Sequence, residues 1–311
     1  DGLLYVTEDQ PGTIFFPGVD SVLSFDGATG NPIGTFIAGD SLDQPRGIAF
    51  DPAGRLFVAN RGSDSVLYYH GPEAQAPDVP GTLIGTFSGT SDSDANDLMF
   101  GPDGNLYVSS DDDVVRRYGP TGTYIDTIAT DAPGGLDNPW GMAFSGRGDM
   151  FLADIDNDRL LQYSGSASFV GVFAGVSVEG LNCGRYLAVA PVSGLSFAPT
   201  AFVFVASEYS DDIKYYDATG AYLGHLTSTD LDGPRDVLFG PDGWIYVSSY
   251  NNDRILRFSA TTGAYEGTPF VPGPFGSGGL QGPVEHGGGA AVAQPDARVA
   301  RLPGVDCHRG V

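Results

Sequence analysis

Short apolar runs of four to six residues, separated by turn residues, recur along the whole chain. The clearest stretch is Leu231 to Phe258, LDGPRDVLFGPDGWIYVSSYNNDRILRF. It holds a Pro-containing turn, an apolar run ending in Phe239, a PDG turn, a second run from Trp244 to Val247, an Asp-bearing turn and a third run from Arg254 to Phe258. Runs of this length bounded by Gly, Pro, Asn and Asp predict strands, not helices. The phrase returns as LDQPRGIAFDPAGRLFVAN from Leu42, ANDLMFGPDGNLYVSS from Ala95, LDNPWGMAFSGRGDMFLAD from Leu136 and PVSGLSFAPTAFVFVAS from Pro191. Each copy continues into an Asp-rich turn, a run of the form φ-x-x-[YF], and a fourth of the form T-G-x-φ-x-G-x-[FL] (φ, apolar). The shared Phe is placed at 50, 100, 144, 197 and 239, at intervals of 50, 44, 53 and 42. Four strands per repeat at that period predict the blades of a β-propeller.

The two ends supply the remaining blade. DGLLYV at the N-terminus matches PDGNLYV and lacks the strand that should precede it. LQGPVEHGGGAAVAQPDARV, at 280–299, carries a weakened version of that opening strand, so Ala290–Ala293 is expected beside Leu3–Val6. Closure by both ends removes an exposed sheet edge. The expected fold is all-β, a six-bladed propeller over 1–299 closed by N- and C-terminal strands, with an irregular C-terminal tail at 300–311. Inserts are expected at Asp9 to Val19, at 73–80 and at Val176 to Ala190.

The propeller motifs P-x-G-φ-x-F, PDG-x-φ-Y-V and D-x-φ-x-x-[YF] resemble the NHL-repeat family of six-bladed propellers over nearly all of 1–299. That resemblance implies a set of roles: peptide and protein binding, extracellular bacterial proteins, and a few metal-dependent lyases and hydrolases. Fold alone does not select among them.

Composition narrows the partners. Net charge is −24, from 39 acidic and 15 basic residues among 311. Only six acids are Glu, so most of the acidity belongs to Asp, a turn former. The charge disfavours nucleic acid and anionic lipid. No apolar run reaches a membrane span, so no membrane insertion is expected. The start at Asp1, directly before a strand-like run, reads as a processed export product. An extracellular or cell-surface location follows as an expectation.

Six Asp, at 20, 64, 112, 158, 211 and 253, fall in the turn between the second and third strands of each blade and read as turn caps. The loops gathered at the channel mouth bring Arg46, Asn96, Asp97, Trp140, Asp154, Arg235 and Asp236, together with Glu8. Asp97 and Asp236 stand where other repeats have Gly. Asn96, Asp97, Asp154 and Asp236 are the candidate Ca2+ ligands, as in lactonase-like propellers; no other cofactor is expected. The competing reading has Arg46 and Arg235 pairing with these carboxylates and closing the mouth. Arg46, Trp140 and Arg235 are the candidate anchors for a peptide or glycan. Zinc chemistry wants a His cluster, and His70, His225, His286 and His308 do not converge by repeat position. Trp244 and the remaining aromatics read as filling between blades.

Cys183 is placed on the mouth side and Cys307 beyond the closing strand, on the opposite side. They can pair within one chain or between chains. A mouth-to-back contact between copies does not close on itself and builds filaments. The expected role is a non-catalytic structural or interaction module whose partners are copies of itself, other surface proteins or glycans, with a Ca2+-dependent hydrolase or lyase as the alternative.

Overall fold

The computed structural model describes residues 2–8, 20–39, 41–89, 94–132, 134–175, 180–191, 195–272 and 290–293. Six antiparallel sheets form a six-bladed ring. Blade one joins β1 (Leu3–Glu8), β2 (Ser21–Asp26) and β3 (Pro32–Ala38) to the last strand, β23 (Ala290–Ala293). Blade two holds β4 (Pro45–Phe50), β5 (Leu56–Asn60), β6 (Ser65–Tyr69) and β7 (Leu83–Gly89), and blade three β8 (Ala95–Phe100), β9 (Leu106–Ser110), β10 (Val114–Tyr118) and β11 (Tyr124–Ala129). Blade four holds β12 (Pro139–Phe144), β13 (Met150–Asp154), β14 (Arg159–Tyr163) and β15 (Phe169–Ala174). Blade five holds β16 (Gly184–Val189), β17 (Ala201–Ser207), β18 (Asp212–Asp217) and β19 (Tyr222–Leu226). Blade six has three strands, β20 (Pro234–Phe239), β21 (Trp244–Ser249) and β22 (Arg254–Ser259). Its outer edge is covered by residues 264–271, through the bridges Ile255–Val271 and Phe258–Tyr265.

The closing strand sits where the repeat places it. Leu3 pairs with Ala293, Leu4 with Val292, Tyr5 with Ala291 and Val6 with Ala290. The tail beyond Ala293 and the insert at 9–19 lie outside the described residues.

Blade five departs from the expected alignment. Its innermost strand is Gly184–Val189 and the next strand starts at Ala201, so Phe197 is not the repeat's shared position. Val189 is. The inner strands then end at 50, 100, 144, 189 and 239, at intervals of 50, 44, 45 and 50, more even than the sequence alignment allowed. The 191–197 phrase imitates the repeat with its Pro, Gly and Phe, whereas GRYLAV has neither Pro nor Phe.

Six apolar cores lie in the seams between successive blades, the last joining Leu4, Val6 and Phe25 of blade one to Leu238, Tyr246 and Ile255 of blade six. The shared Phe explains its own recurrence. Phe50, Phe100, Phe144 and Phe239 each meet edge-on an aromatic of the preceding blade's second strand: Tyr5, Phe57, Tyr107 and Phe204, with centroids 4.9–5.5 Å apart. Val189 is too small for this, and Phe202 supplies the ring against Phe151 instead. Such edge-on pairs add to the stabilisation from burial itself.

The repeated Asp does more than cap its own turn. Asp20, Asp64, Asp113, Asp158 and Asp211 each accept a hydrogen bond of 2.6–2.8 Å from a backbone N–H of the next blade: Gln44, Asp94, Asn138, Cys183 and Gly233. In blade three the residue is Asp113 and not Asp112, which instead pairs with Arg116 and Ser110. The five N–H donors all have φ between 49° and 61°, and four of the accepting Asp residues (64, 113, 158 and 211) lie between 48° and 60°. Asp and Asn tolerate this left-handed geometry better than other side chains.

Candidate functional site

Each inner strand from β4 to β20 has a β-bulge at the same place, after its first residue. A bulge puts two residues opposite one and re-aims their side chains. Its second and third positions are Arg46-Gly47, Asn96-Asp97, Trp140-Gly141, Arg185-Tyr186 and Arg235-Asp236. All are buried, at the start of the inner strands, the position that the sequence assigns to the channel mouth.

Glycine in two of these pairs lets the next blade come close. A Cβ on Gly141 would stand 2.5 Å from Tyr186 Cα and 2.8 Å from the Arg185 carbonyl oxygen. One on Gly47 would stand 3.0 Å from Asp97 Cα. The larger third-position side chains then reach across: Asp97 accepts from the Met142 N–H at 2.9 Å, and the Tyr186 hydroxyl donates to the Asn96 carbonyl at 3.0 Å. That last bond runs from blade five to blade three. The bulge carbonyls of Arg46 and Trp140 are taken up by Thr7 and Ser109 of the preceding blades, at 3.0 and 2.7 Å.

The centre of charge is Glu208, the first residue of the 3-10 turn Glu208–Ser210. Its carboxylate accepts from Arg185 Nε at 2.5 Å and from Arg235 Nε and Nη2 at 3.0 and 2.6 Å. Arg185 is fully buried, Glu208 and Arg235 nearly so. Burial pushes the Glu208 carboxyl up, but the two guanidiniums outweigh it and hold the group below its ordinary value. Arg235 also lies 3.3 Å from the Tyr250 ring centroid. Trp140 is stacked by Arg185 at 4.1 Å and Arg46 at 5.2 Å, meets Tyr186 edge-on and donates from Nε1 to Asn138. On the other side of the mouth Asn96 donates to Asp111 and to the Pro139 carbonyl, and Arg61 pairs with Asp111.

The candidate metal ligands have different hydrogen-bond partners in the structure. Asp154 turns into its own blade, accepting from the Asp137 N–H, Asn157 and Arg159. Burial raises its pKa, against the pull of those partners. Asn60, Ser207 and Ser249 hold the equivalent loop N–H in other blades, which marks this as a position for fastening the entry loop. Asp236 stays at the mouth. Its Oδ1 accepts from the Val237 N–H, and its carboxyl is pushed well above the usual range by burial. Among the described residues no three His, Cys, Asp or Glu gather as a metal site. Arg235 pairs with Glu208, not with Asp97 or Asp236. Cys183 is buried beside Glu208, its sulfur 3.5 Å from Oε2. Cys307, and with it the Cys183–Cys307 pairing, lies outside the described residues, as does the side chain of Glu8.

Glu208, Arg185, Tyr186 and Tyr250 did not stand out in the sequence. The first residue after the second strand is Arg61, Asp111, Ile155, Glu208 and Tyr250 in blades two to six, so no single residue type flags it.

No family model matches the sequence, and no curated protein sequence matches it either. Solved structures do. The chain is similar to a chain in the structure of a nidogen/laminin complex, with a TM-score of 0.70, 12% identity and coverage of 94% of this chain and 99% of that one. It is similar to a streptogramin B lyase, with a TM-score of 0.59, 13% identity and coverage of 87% and 86%. A protein of unknown function from Bacteroides caccae gives 0.59, 8% identity and coverage of 84% and 91%. At these identities the likeness shows the propeller fold, which serves a lyase in one case and a protein complex in another.

Proposed function

We propose that the chain is a non-catalytic, extracellular structural and interaction propeller of the NHL-like kind, which assembles with copies of itself into a filament, tube or surface layer. The observation that carries this reading is the state of the mouth. Glu208 binds Arg185 and Arg235, and Trp140 is held between Arg185 and Arg46, so the strongest binding groups serve the ring itself. The contact between copies then falls to the C-terminal tail at 300–311 and the loop inserts, with Cys183 and Cys307 paired either within one chain or between two. Electron microscopy of the purified protein tests it. Ordered multi-subunit assemblies are expected, broken by reductant where the disulfide joins two chains. Uniformly dispersed single particles at high concentration would refute the assembly.

One observation favours a second reading, a ligand or Ca2+ at the mouth. Asp236 Oδ2 is buried there with no hydrogen-bond partner among the described residues, as is Arg235 Nη1. Elemental analysis and calorimetric titration with Ca2+ decide between the two: stoichiometric metal, lost in Asp236→Asn, supports the second.

A further inference from the structure

The turn between β12 and β13 reads Ser145-Gly146-Arg147-Gly148-Asp149. The equivalent turns of blades two, three and six are DPAGR, GPDGN and GPDGW, with Gly fourth in each. Gly148 keeps that place at φ 91°, the left-handed position that closes a three-residue hairpin loop. Ser145 fixes the rest. Its carbonyl accepts from the Gly148 N–H at 2.9 Å, and its Oγ accepts from the Arg147 and Asp149 N–H groups at 3.3 and 3.1 Å. Pro102 of blade three and Gly165 of the outer hairpin brace the tip, 3.5 and 3.8 Å from the place a Gly148 Cβ would occupy.

The side chains of this turn depart from the repeat. In blades three and six the third residue is Asp103 or Asp242, and the strand that follows ties it down: Tyr107 donates to Asp103 at 3.1 Å and Tyr246 to Asp242 at 2.6 Å. Blade two has Ala53 there and Phe57 in the strand; blade four has Arg147 and Phe151, which brings no hydroxyl. Arg147 is exposed, and among the described residues it is the one Arg or Lys with neither an ion pair nor an aromatic ring beside it. On a chain of net charge −24 every other described cation has found a partner. Asp149 is in no ion pair among the described residues either, and its Oδ1 takes a single 3.3 Å bond from the Gly165 N–H.

We propose that the tip Arg147-Gly148-Asp149 is a docking loop for a receptor protein whose pocket sets a carboxylate beside a bound divalent cation. The Arg147 guanidinium offers a planar fork of donors that fits a carboxylate through two parallel bonds. The Asp149 carboxylate is a hard oxygen ligand, suited to a Mg2+ or Ca2+ ion that the receptor leaves one ligand short. Gly148 between them has no side chain to hold the receptor surface away. A turn already fixed by its own hydrogen bonds has little left to order on binding, which favours affinity. Most of this acidic surface repels an acidic pocket, and the unpaired guanidinium marks the place where approach is favoured. The tip follows the end of β12 far from Trp140, so the contact uses none of the mouth residues and does not depend on assembly between copies.

Surface plasmon resonance of the full chain over a panel of integrin ectodomains that recognise the Arg-Gly-Asp tripeptide, in Mg2+, tests the loop. Saturable binding is expected, abolished by EDTA and competed by a free Gly-Arg-Gly-Asp-Ser peptide. Asp149→Glu keeps the charge and displaces it by one methylene, and Arg147→Ala removes an exposed cation. Each should weaken binding by about thirtyfold or more, the mark of a hot-spot contact, with the melting temperature unchanged. The exchange Arg147→Asp with Asp149→Arg keeps the net charge and should abolish binding. No saturable binding to any member of the panel, binding that persists in EDTA, or binding that survives the exchange would each overturn the proposal. Binding by dispersed single particles would uphold the loop and refute the filament; ordered assemblies that fail to bind would do the reverse.

Discussion

The Asp158 carboxylate accepts a 2.6 Å hydrogen bond from the backbone N–H of Cys183, and both residues hold a left-handed backbone conformation. The bond crosses from blade four to blade five, and four more like it cross the other described boundaries. The recurrent Asp is thus a staple between blades. Asp158→Ala loses a charge-assisted bond and forces Ala to a positive φ, at a cost of about 3 kcal/mol. Asp158→Asn keeps the acceptor and the tolerated geometry and should cost about 1 kcal/mol. Urea denaturation of the two variants measures the difference.

Glu208 holds two buried guanidiniums together. Glu208→Gln leaves both without their counter-charge and should destabilise by about 3–5 kcal/mol. The folded protein holds this carboxyl below its ordinary value, so its contribution is complete above the unfolded pKa of about 4.3 and is lost as pH falls through the folded value. Thermal melts across pH 3–7 should show the wild type losing stability on the acid side more steeply than the variant.

Asp236 behaves in the opposite sense. Burial raises its folded pKa well above the unfolded value, so the folded state holds the proton more tightly. Its favourable contribution is present below about pH 4 and declines as pH rises toward the folded value. Asp236→Asn, which mimics the protonated form, should therefore equal or exceed the wild type in melting temperature at neutral pH and match it near pH 4. A neutral-pH loss of stability in the variant would show that the carboxylate is ionised and bound.

Two glycines separate steric from conformational cost. Gly141→Ala pushes a methyl into the backbone of β16 and should destabilise by about 1–3 kcal/mol, with the mouth disturbed. Gly104→Ala, at φ 77° in open space, should cost about 1 kcal/mol and leave the mouth intact. Denaturation midpoints and the near-ultraviolet signal of Trp140 distinguish them.

The ring was legible in the sequence because its physics repeats. Strand length, turn residues and the shared Phe recur in step, and the pairing of Leu3–Val6 with Ala290–Ala293 followed from completing the pattern. Blade five escaped because Pro191 to Phe197 imitates the phrase while Gly184–Val189 lacks its markers. That slip hid Arg185 and Tyr186, which the correct alignment places beside Arg46, Trp140 and Arg235. Glu208 escaped for a different reason. Its role depends on two arginines from other strands, 23 and 27 residues away, and local pattern carries no trace of such a meeting. Asp154 shows the converse: a carboxylate in the expected loop whose partners all come from its own blade.

The strand that seals blade one also sets the order in which the protein can be completed. All of the residues between them must be made before Ala290–Ala293 can reach Leu3–Val6. Until then the nascent polypeptide is an open arc whose first blade has a bare edge, the state in which β-proteins are most prone to pair wrongly. The step that protects β1 therefore comes after the other five blades are made, and whatever shields the growing chain has to cover that interval.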